Sequence, residues 1–187
     1  VEDDRAFHTQ VHSDPRLYTH APHVLGTPES NRVFFDDILR SWEADGFGYW
    51  VAEERDSGIP LGWVGVKQNG GSLNLYYRFV PEAHGRGLAR EAGSAAVAMA
   101  TEWRPDHPVR AVVKEHNTAS VRTAESIGLR RTGETVVLAD DRRDEPASTV
   151  FEAPRVSRVP ALDEALRAEV LALWTAVNDA GGAVGFL

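Results

Sequence analysis

One stretch, from Asn74 to Ala92, constrains the fold more than any other part of the chain. β-formers run from Leu73 to Val80, and Pro81 ends the strand because it has no N–H to give a ladder. The same stretch finishes as a helix, with Leu88, Ala92, Ala95 and Met99 on one stripe and alanines elsewhere. Between them lies His84-Gly85-Arg86-Gly87. Two glycines let the backbone turn sharply, and the first amides of the new helix have no intrahelical acceptor. Unpaired N–H groups, a positive dipole end and the nearby Arg86 and Arg90 make this loop a site for a phosphate or pyrophosphate.

Three kinds of glycine-rich loop compete for that description. A Walker A loop requires a Gly-Lys-Ser/Thr ending, and Gly87-Leu88-Ala89 does not supply one. A dinucleotide fingerprint requires a third small residue where helix packs on strand, and Arg90 occupies that place. The third kind is the Gln/Arg-x-x-Gly-x-Gly/Ala loop of the GNAT superfamily of acyl-CoA-dependent N-acetyltransferases. His84-x-x-Gly87-x-Ala89 resembles it, with His84 in place of the usual Gln or Arg.

A second segment strengthens the resemblance. Asn117, Ser120, Glu125, Gly128 and Leu129 match the family's other signature, Asn-x-x-Ser-x-x-x-x-Glu-x-x-Gly-Phe/Leu. It follows a strand from Val109 to Val113 and lies downstream of the loop, in the order that the family requires. With Ser120 and Arg122 as they stand, the match is closest to the RimJ/RimL-like, ribosomal-protein-type branch, over residues 2–153. The implied fold is α/β, a mixed and mostly antiparallel central sheet flanked by helices, with a C-terminal helical extension. The acetyltransferase domain spans residues 1–154. The strand with which relatives begin is expected to be missing ahead of Val1.

The rest of the chain fits around this centre. A short helix is predicted over residues 2–12, with Phe7 and Val11 on one face, then a loop rich in Pro and His to residue 28. His8, His12, His20 and His23 read as solvent-exposed histidines, since no third ligand at fixed spacing suggests a metal. Thr27 caps a helix over residues 28–45 whose buried face is Phe34, Ile38, Leu39 and Trp42. Strands follow over Tyr49–Glu53 and Leu61–Lys67, with turns at Asp56-Ser57-Gly58 and Asn69-Gly70-Gly71. Trp42, Trp50 and Trp63 read as core or wall residues, a place in the acceptor cleft being the alternative for one or two of them. The signature helix stops at Gly128, and Thr132–Leu138 pairs with Thr149–Glu152. In residues 155–187, Leu162, Leu166, Val170, Leu173 and Val177 trace a helical stripe. This segment resembles the opening of a second acetyltransferase domain, or is a helix packed on its own domain or on a partner subunit.

Composition narrows the partners. The chain has 187 residues, no cysteine and a formal net charge of −8. A nucleic-acid surface would want a basic face, so nucleic acid is not an expected partner. No apolar run approaches a membrane span and no signal peptide is read, so the expected location is cytoplasmic, away from the membrane. An anionic cofactor needs local positive charge, which Arg78, Arg86, Arg90 and Arg122 supply, and the acidic balance suits a cationic acceptor such as an amine. A homodimer is a further expectation; a metal is not.

The resemblance implies the chemistry. The backbone of Phe79 and Val80 pairs with the pantetheine arm of acetyl-CoA. The loop His84, Gly85, Arg86, Gly87, Leu88 and Ala89 takes the pyrophosphate, Asn117 contacts the pantetheine through its side-chain amide, and Arg122 reaches the nucleotide phosphates. Many relatives protonate the leaving thiolate with a tyrosine seven residues after the Asn, where this chain has Ala124. Ser120 resembles the group given that task in the RimJ/RimL-like branch, the alternative being a helix cap. For the general base, His116, Glu115, Glu82 and His84 are near by sequence and none is decisive. An α-amine is roughly 10–20% neutral at pH 7 and a lysine only about 0.04%, so a site without a strong base favours α-amines or low-pKa amines of small molecules over lysine. A protein N-terminus is the first acceptor reading. An aminoglycoside- or polyamine-type amine is the second, and a non-catalytic CoA-binding module the reading from another class.

Overall fold

The computed structural model describes residues 2–139 and 141–154, together with Ala168 and Ala172, which are helical. The stripe from Leu162 to Val177 and the tail after it otherwise lie outside the described residues.

After a 3₁₀ turn at Glu2–Asp4, α1 spans Arg5–His12 and α2 spans Pro28–Asp45. The connection between them, read as loop, contains 3₁₀ turns at Pro15–Leu17 and Pro22–Val24, each begun by a proline that needs no N–H acceptor. Thr27 caps α2 as expected, and Ser30 completes a reciprocal box with it. Gly46, at φ 74°, closes α2 in the left-handed conformation. Three antiparallel strands follow: β1 at Tyr49–Glu53, β2 at Pro60–Asn69 and β3 at Ser72–Phe79. Helix α3, Leu88–Trp103, crosses over to β4, Val109–Val113. Helix α4, Thr118–Ile127, leads to β5 at Arg130–Val136 and β6 at Ser148–Glu152.

The strands form one six-stranded sheet in the order β1-β2-β3-β4-β6-β5. Every neighbouring pair is antiparallel except β3–β4, which the α3 crossover makes parallel. Alternation along the strands gives the sheet two apolar faces. Val64, Val66, Leu73, Leu75, Ala111 and Val113 pack against α3 and α4, while Tyr49 and Trp63 pack against Val11, Phe35 and Ile38 of α1 and α2.

Two helix faces differ from the sequence reading. On α3 the buried residues are Gly93, Ala96 and Ala100, one position on from the expected stripe, and Met99 is 38% exposed. The cause is close packing of helices: a Cβ on Gly93 would stand 2.5 Å from Ile127 of α4. On α2, Phe35 rather than Phe34 is fully buried, together with Asn31, Ile38 and Ser41. His8 and His12 are corrected outright. They are 0% and 2% exposed, stacked with ring centroids 4.0 Å apart beneath Phe34, Phe35 and Trp63. His20 is exposed as expected and His23 partly buried. Among the described residues no three metal-binding side chains cluster, and no helix is long and apolar enough to cross a membrane.

Candidate active site

The parallel pairing of β3 with β4 covers only Leu73 with Val109 and Asn74 with Arg110. Beyond Asn74 the two strands part, and the gap between them is a cleft of roughly 770 Å³ bounded by Leu75–Phe79 on one side and Ala111–Lys114 on the other. The Leu73 amide points to this side, donating to Pro108 O, whereas the Val80 amide donates to Leu61 O of β2. By alternation, the backbone groups of Tyr77 and the amide of Phe79 face the cleft beyond the last paired residues, the Phe79 carbonyl being taken by His84 Nε2. That is a strand edge ready to pair with an extended ligand. Phe79 lines the cleft. Val80 does not line the cleft, and its amide is already used.

At the end of that edge, a 3₁₀ turn at Pro81–Ala83 delivers the chain to the glycine loop. Gly85 and Gly87 have φ of 74° and 77°, a conformation that L side chains resist, and Gly87 is the N-cap of α3 without a capping side chain. The amides from Gly85 to Arg90 have no protein acceptor among the described residues. Gly85, Gly87, Leu88 and Ala89 all line the cleft, so these donors gather at one end of it. Arg90 and Arg122 line it too, neither with a carboxylate in ion-pair distance among the described residues. Arg86 behaves differently: it pairs with Glu54 at 2.8 Å and does not line the cleft. His84 closes the loop onto the strand by donating from Nε2 to Phe79 O at 3.0 Å.

Across the cleft, Asn117 caps α4, its Oδ1 accepting from the Ser120 amide at 3.1 Å. The cap is therefore Asn117, and Ser120 stands inside the first turn with its hydroxyl free for other work. That hydroxyl lies 3.1 Å from the phenol oxygen of Tyr77, which donates to the Ser120 carbonyl at 3.0 Å. Since the carbonyl can only accept, the Ser120 O–H is left to donate to Tyr77 Oη. Burial pushes the Tyr77 pKa upward, so the phenol keeps its proton at neutral pH. Tyr77 escaped the sequence reading. The available signal was parity: it shares the α3/α4 face with Leu73, Leu75 and Phe79, as the one polar member of that set.

Residues of the opposite parity, Tyr76 and Arg78, face α1 and the connection that follows it. Arg16, Leu17, Thr19 and His20 of that connection also line the cleft. Tyr76 Oη is 2.8 Å from His12 Nε2, and His12 Nδ1 is 2.8 Å from His8 O. The carbonyl fixes the tautomer, with Nδ1 protonated and Nε2 accepting from Tyr76. None of the three tryptophans of the core reading lines the cleft; Trp63 is fully buried and Trp42 donates to Tyr49 O.

Of the four base candidates, only His84 lines the cleft. His116 donates to His20 O, while Glu82 is held by Arg16 and Glu115 by Arg131 and Thr149. The Glu82 carboxyl lies below its usual range because its own backbone amide and Arg16 favour the ionised form. Arg131 and then Thr149 do the same to Glu115. Both are weak bases.

A family model described as an acetyltransferase (GNAT) domain matches residues 1–130. The uncharacterized protein YkkB of Bacillus subtilis is 30% identical over 121 residues, which is 63% of this chain and 70% of that protein. A GNAT phosphinothricin acetyltransferase from Sinorhizobium meliloti, solved with acetyl-CoA, superposes with a TM-score of 0.65 at 15% identity, covering 86% of this chain and 88% of that one. A spermidine N-acetyltransferase SpeG chimera from Vibrio cholerae and hSSAT gives a TM-score of 0.65 at 16% identity, over 83% of this chain and 92% of that one. These two structures share the mixed sheet and its flanking helices. With the family model matching well over half of its length, the chain belongs to the GNAT acetyltransferase family.

Proposed function

We propose that this chain transfers an acetyl group from acetyl-CoA to a primary amine by direct attack in a ternary complex. The observation that carries the reading is the row of unpartnered amides from Gly85 to Arg90, at the end of an open strand edge that also holds the Tyr77–Ser120 hydroxyl pair. Acetyl-CoA supplies an activated thioester, so transfer forms one C–N bond, breaks one C–S bond and leaves a thiolate that needs a proton.

The protein's part is to hold, orient and protonate. The Gly85–Ala89 amides and the charges of Arg90 and Arg122 bind the phosphates at the positive end of α3. The free edge at Tyr77 and the Phe79 amide holds the extended arm, and Asn117 keeps its Nδ2 donors for it while Oδ1 caps α4. Fixing thioester and amine side by side removes up to about 7–11 kcal/mol of the barrier without covalent catalysis. Ser120 gives its proton to the thiolate and regains one from water, while Tyr77 Oη, which accepts from Ser120 beforehand, holds that hydroxyl in place. The amine proton leaves through water, since the carboxylates near the cleft are weak bases.

Residues 1–154 are the catalytic domain in this reading, and residues 155–187 a separate C-terminal segment. The motif residues Ser120 and Arg122 favour the RimJ/RimL-like branch, hence an α-amine acceptor such as a protein N-terminus. The fold is equally that of enzymes named for small amines, spermidine and phosphinothricin among them. Incubation of the full chain with acetyl-CoA and an amine panel, followed by thiol release, tests the reading. Release that depends on an amine supports transfer; tight acetyl-CoA binding with no release for any amine makes the chain a CoA-binding module.

A further inference from the structure

The charge of the cleft is opposite to the charge of the protein. Acidic residues outnumber basic ones, 28 to 20, yet among the described residues no Asp or Glu lines the cleft, whereas Arg16, Arg78, Arg90, Lys114 and Arg122 do. The expectation of a cationic acceptor, drawn from the overall charge, does not carry into the site. A polyamine or a lysine-rich segment would meet cations there and no carboxylate.

Arg90 and Arg122 stand as phosphate ligands in the reading above, and two of the other three cations are already satisfied. Arg16 is held by Asp14 at 2.7 Å and Glu82 at 2.8 Å. Lys114 is held by Asp141 and by Pro146 O, both at 2.8 Å. Arg78 is left. Among the described residues it has no carboxylate in ion-pair distance; its guanidinium rests over the Tyr18 ring at 4.2 Å and is 5.7 Å from the centre of Tyr76. Stacking on an aromatic face fixes the plane of the guanidinium while its edge donors stay available for a bidentate partner. A half-buried cation that lacks a counter-ion stabilises an anion brought to it.

Position ties this charge to the reaction. Arg78 is flanked on β3 by Tyr77 and Phe79, whose backbone edge and hydroxyl serve the acetyl donor. Its side chain, like that of Tyr76, lies on the other face of β3, over Tyr18 and beside Leu17 and Thr19 in the cleft lining.

We propose that Arg78 binds an anionic group of the acceptor, making the substrate a small amine with a carboxylate or similar acid beside its amine, as in a free α-amino acid. This rests on the acetyl-transfer reading above. A peptide N-terminus has no charge beside its amine to meet Arg78, and spermidine has only the wrong one.

The test compares thiol release for α-amino acids with that for their α-carboxamides, a short peptide and spermidine, using the full chain. A carboxamide has the less basic amine and so more of it neutral at pH 7; preference for the free acid is therefore an effect of binding. The expected result is preference for free acids, a KM for the acid raised roughly 10- to 100-fold in Arg78→Gln, and an unchanged KM for acetyl-CoA. Arg78→Lys keeps the charge and recovers part of the loss, which separates recognition from a folding defect. Faster release with carboxamide, peptide or spermidine overturns the proposal, as does acetyl-CoA binding with release for none of the free acids. Failure of the unaltered chain to bind acetyl-CoA would instead overturn the acetyl-transfer reading itself.

Discussion

The Tyr77 and Ser120 hydroxyl oxygens lie 3.1 Å apart across the cleft between β3 and α4. The two residues come from different signature regions, and the contact places a second hydroxyl behind the one assigned to the leaving thiolate. Ser120→Ala is expected to lower kcat about 10²- to 10⁴-fold with little change in the KM for acetyl-CoA. Because Asn117 and not Ser120 caps α4, the melting temperature should hardly move. Tyr77→Phe should lower kcat by less, and the double variant should be no worse than Ser120→Ala, as residues acting through one another require. Full activity in Ser120→Ala, measured by steady-state kinetics, assigns the proton to another source.

Arg122 and Arg86 should separate, although both stood as phosphate ligands in the sequence. Arg122 lines the cleft with no ion pair among the described residues, while Arg86 is turned onto Glu54. Arg122→Ala is expected to raise the KM for acetyl-CoA and flatten its salt dependence; Arg86→Ala should do much less of both. A larger effect from Arg86 in the same salt series would mean that it leaves Glu54 for the phosphates.

The buried histidines predict a pH dependence of stability. Burial first, then the Arg5 charge, lowers the His8 pKa to about 4; burial first, then His8, lowers that of His12 to about 3. The unfolded value is about 6.5, so the folded state binds fewer protons. Their stabilisation is whole above about pH 6.5 and is lost as pH falls toward 4, by up to about 1.4 kcal/mol per histidine per pH unit. His8 has no hydrogen-bond partner at either ring nitrogen among the described residues, so His8→Phe should cost little at pH 7.5 and flatten the fall between pH 6.5 and 5. Urea titrations at these values check this; an unchanged slope in the variant would place the acid sensitivity elsewhere.

The parts of the fold legible in the sequence were those set by local chemistry. Thr27, Pro28, Gly46, Pro81 and Gly128 mark the ends of elements with the chain's own caps and breaks, and each stands where it was expected. The α3 face was misread by one position because Gly93 has no side chain to announce itself, and only contact with Ile127 shows that it is buried. His8 and His12 looked exposed because Trp63 and Tyr76, the rings that accompany them, arrive from strands more than fifty residues away. The same holds for the site. Gly85, Gly87 and Asn117 belong to contiguous motifs, whereas the Tyr77–Ser120 contact and the stacking of Arg78 on Tyr18 exist only in the folded chain.

The central claim, that the glycine loop binds the pyrophosphate of acetyl-CoA, is tested most directly by calorimetric titration of the unaltered chain and of Gly87→Asp. At φ 77° any L side chain at residue 87 strains the backbone by about 1–2 kcal/mol, so melting should drop modestly in the variant. Gly87→Asn, which tolerates that conformation and is neutral, controls for shape without charge. The account predicts clear binding by the unaltered chain, weaker binding by Gly87→Asn and none detectable by Gly87→Asp. Equal affinity in the unaltered chain and a folded Gly87→Asp would contradict it.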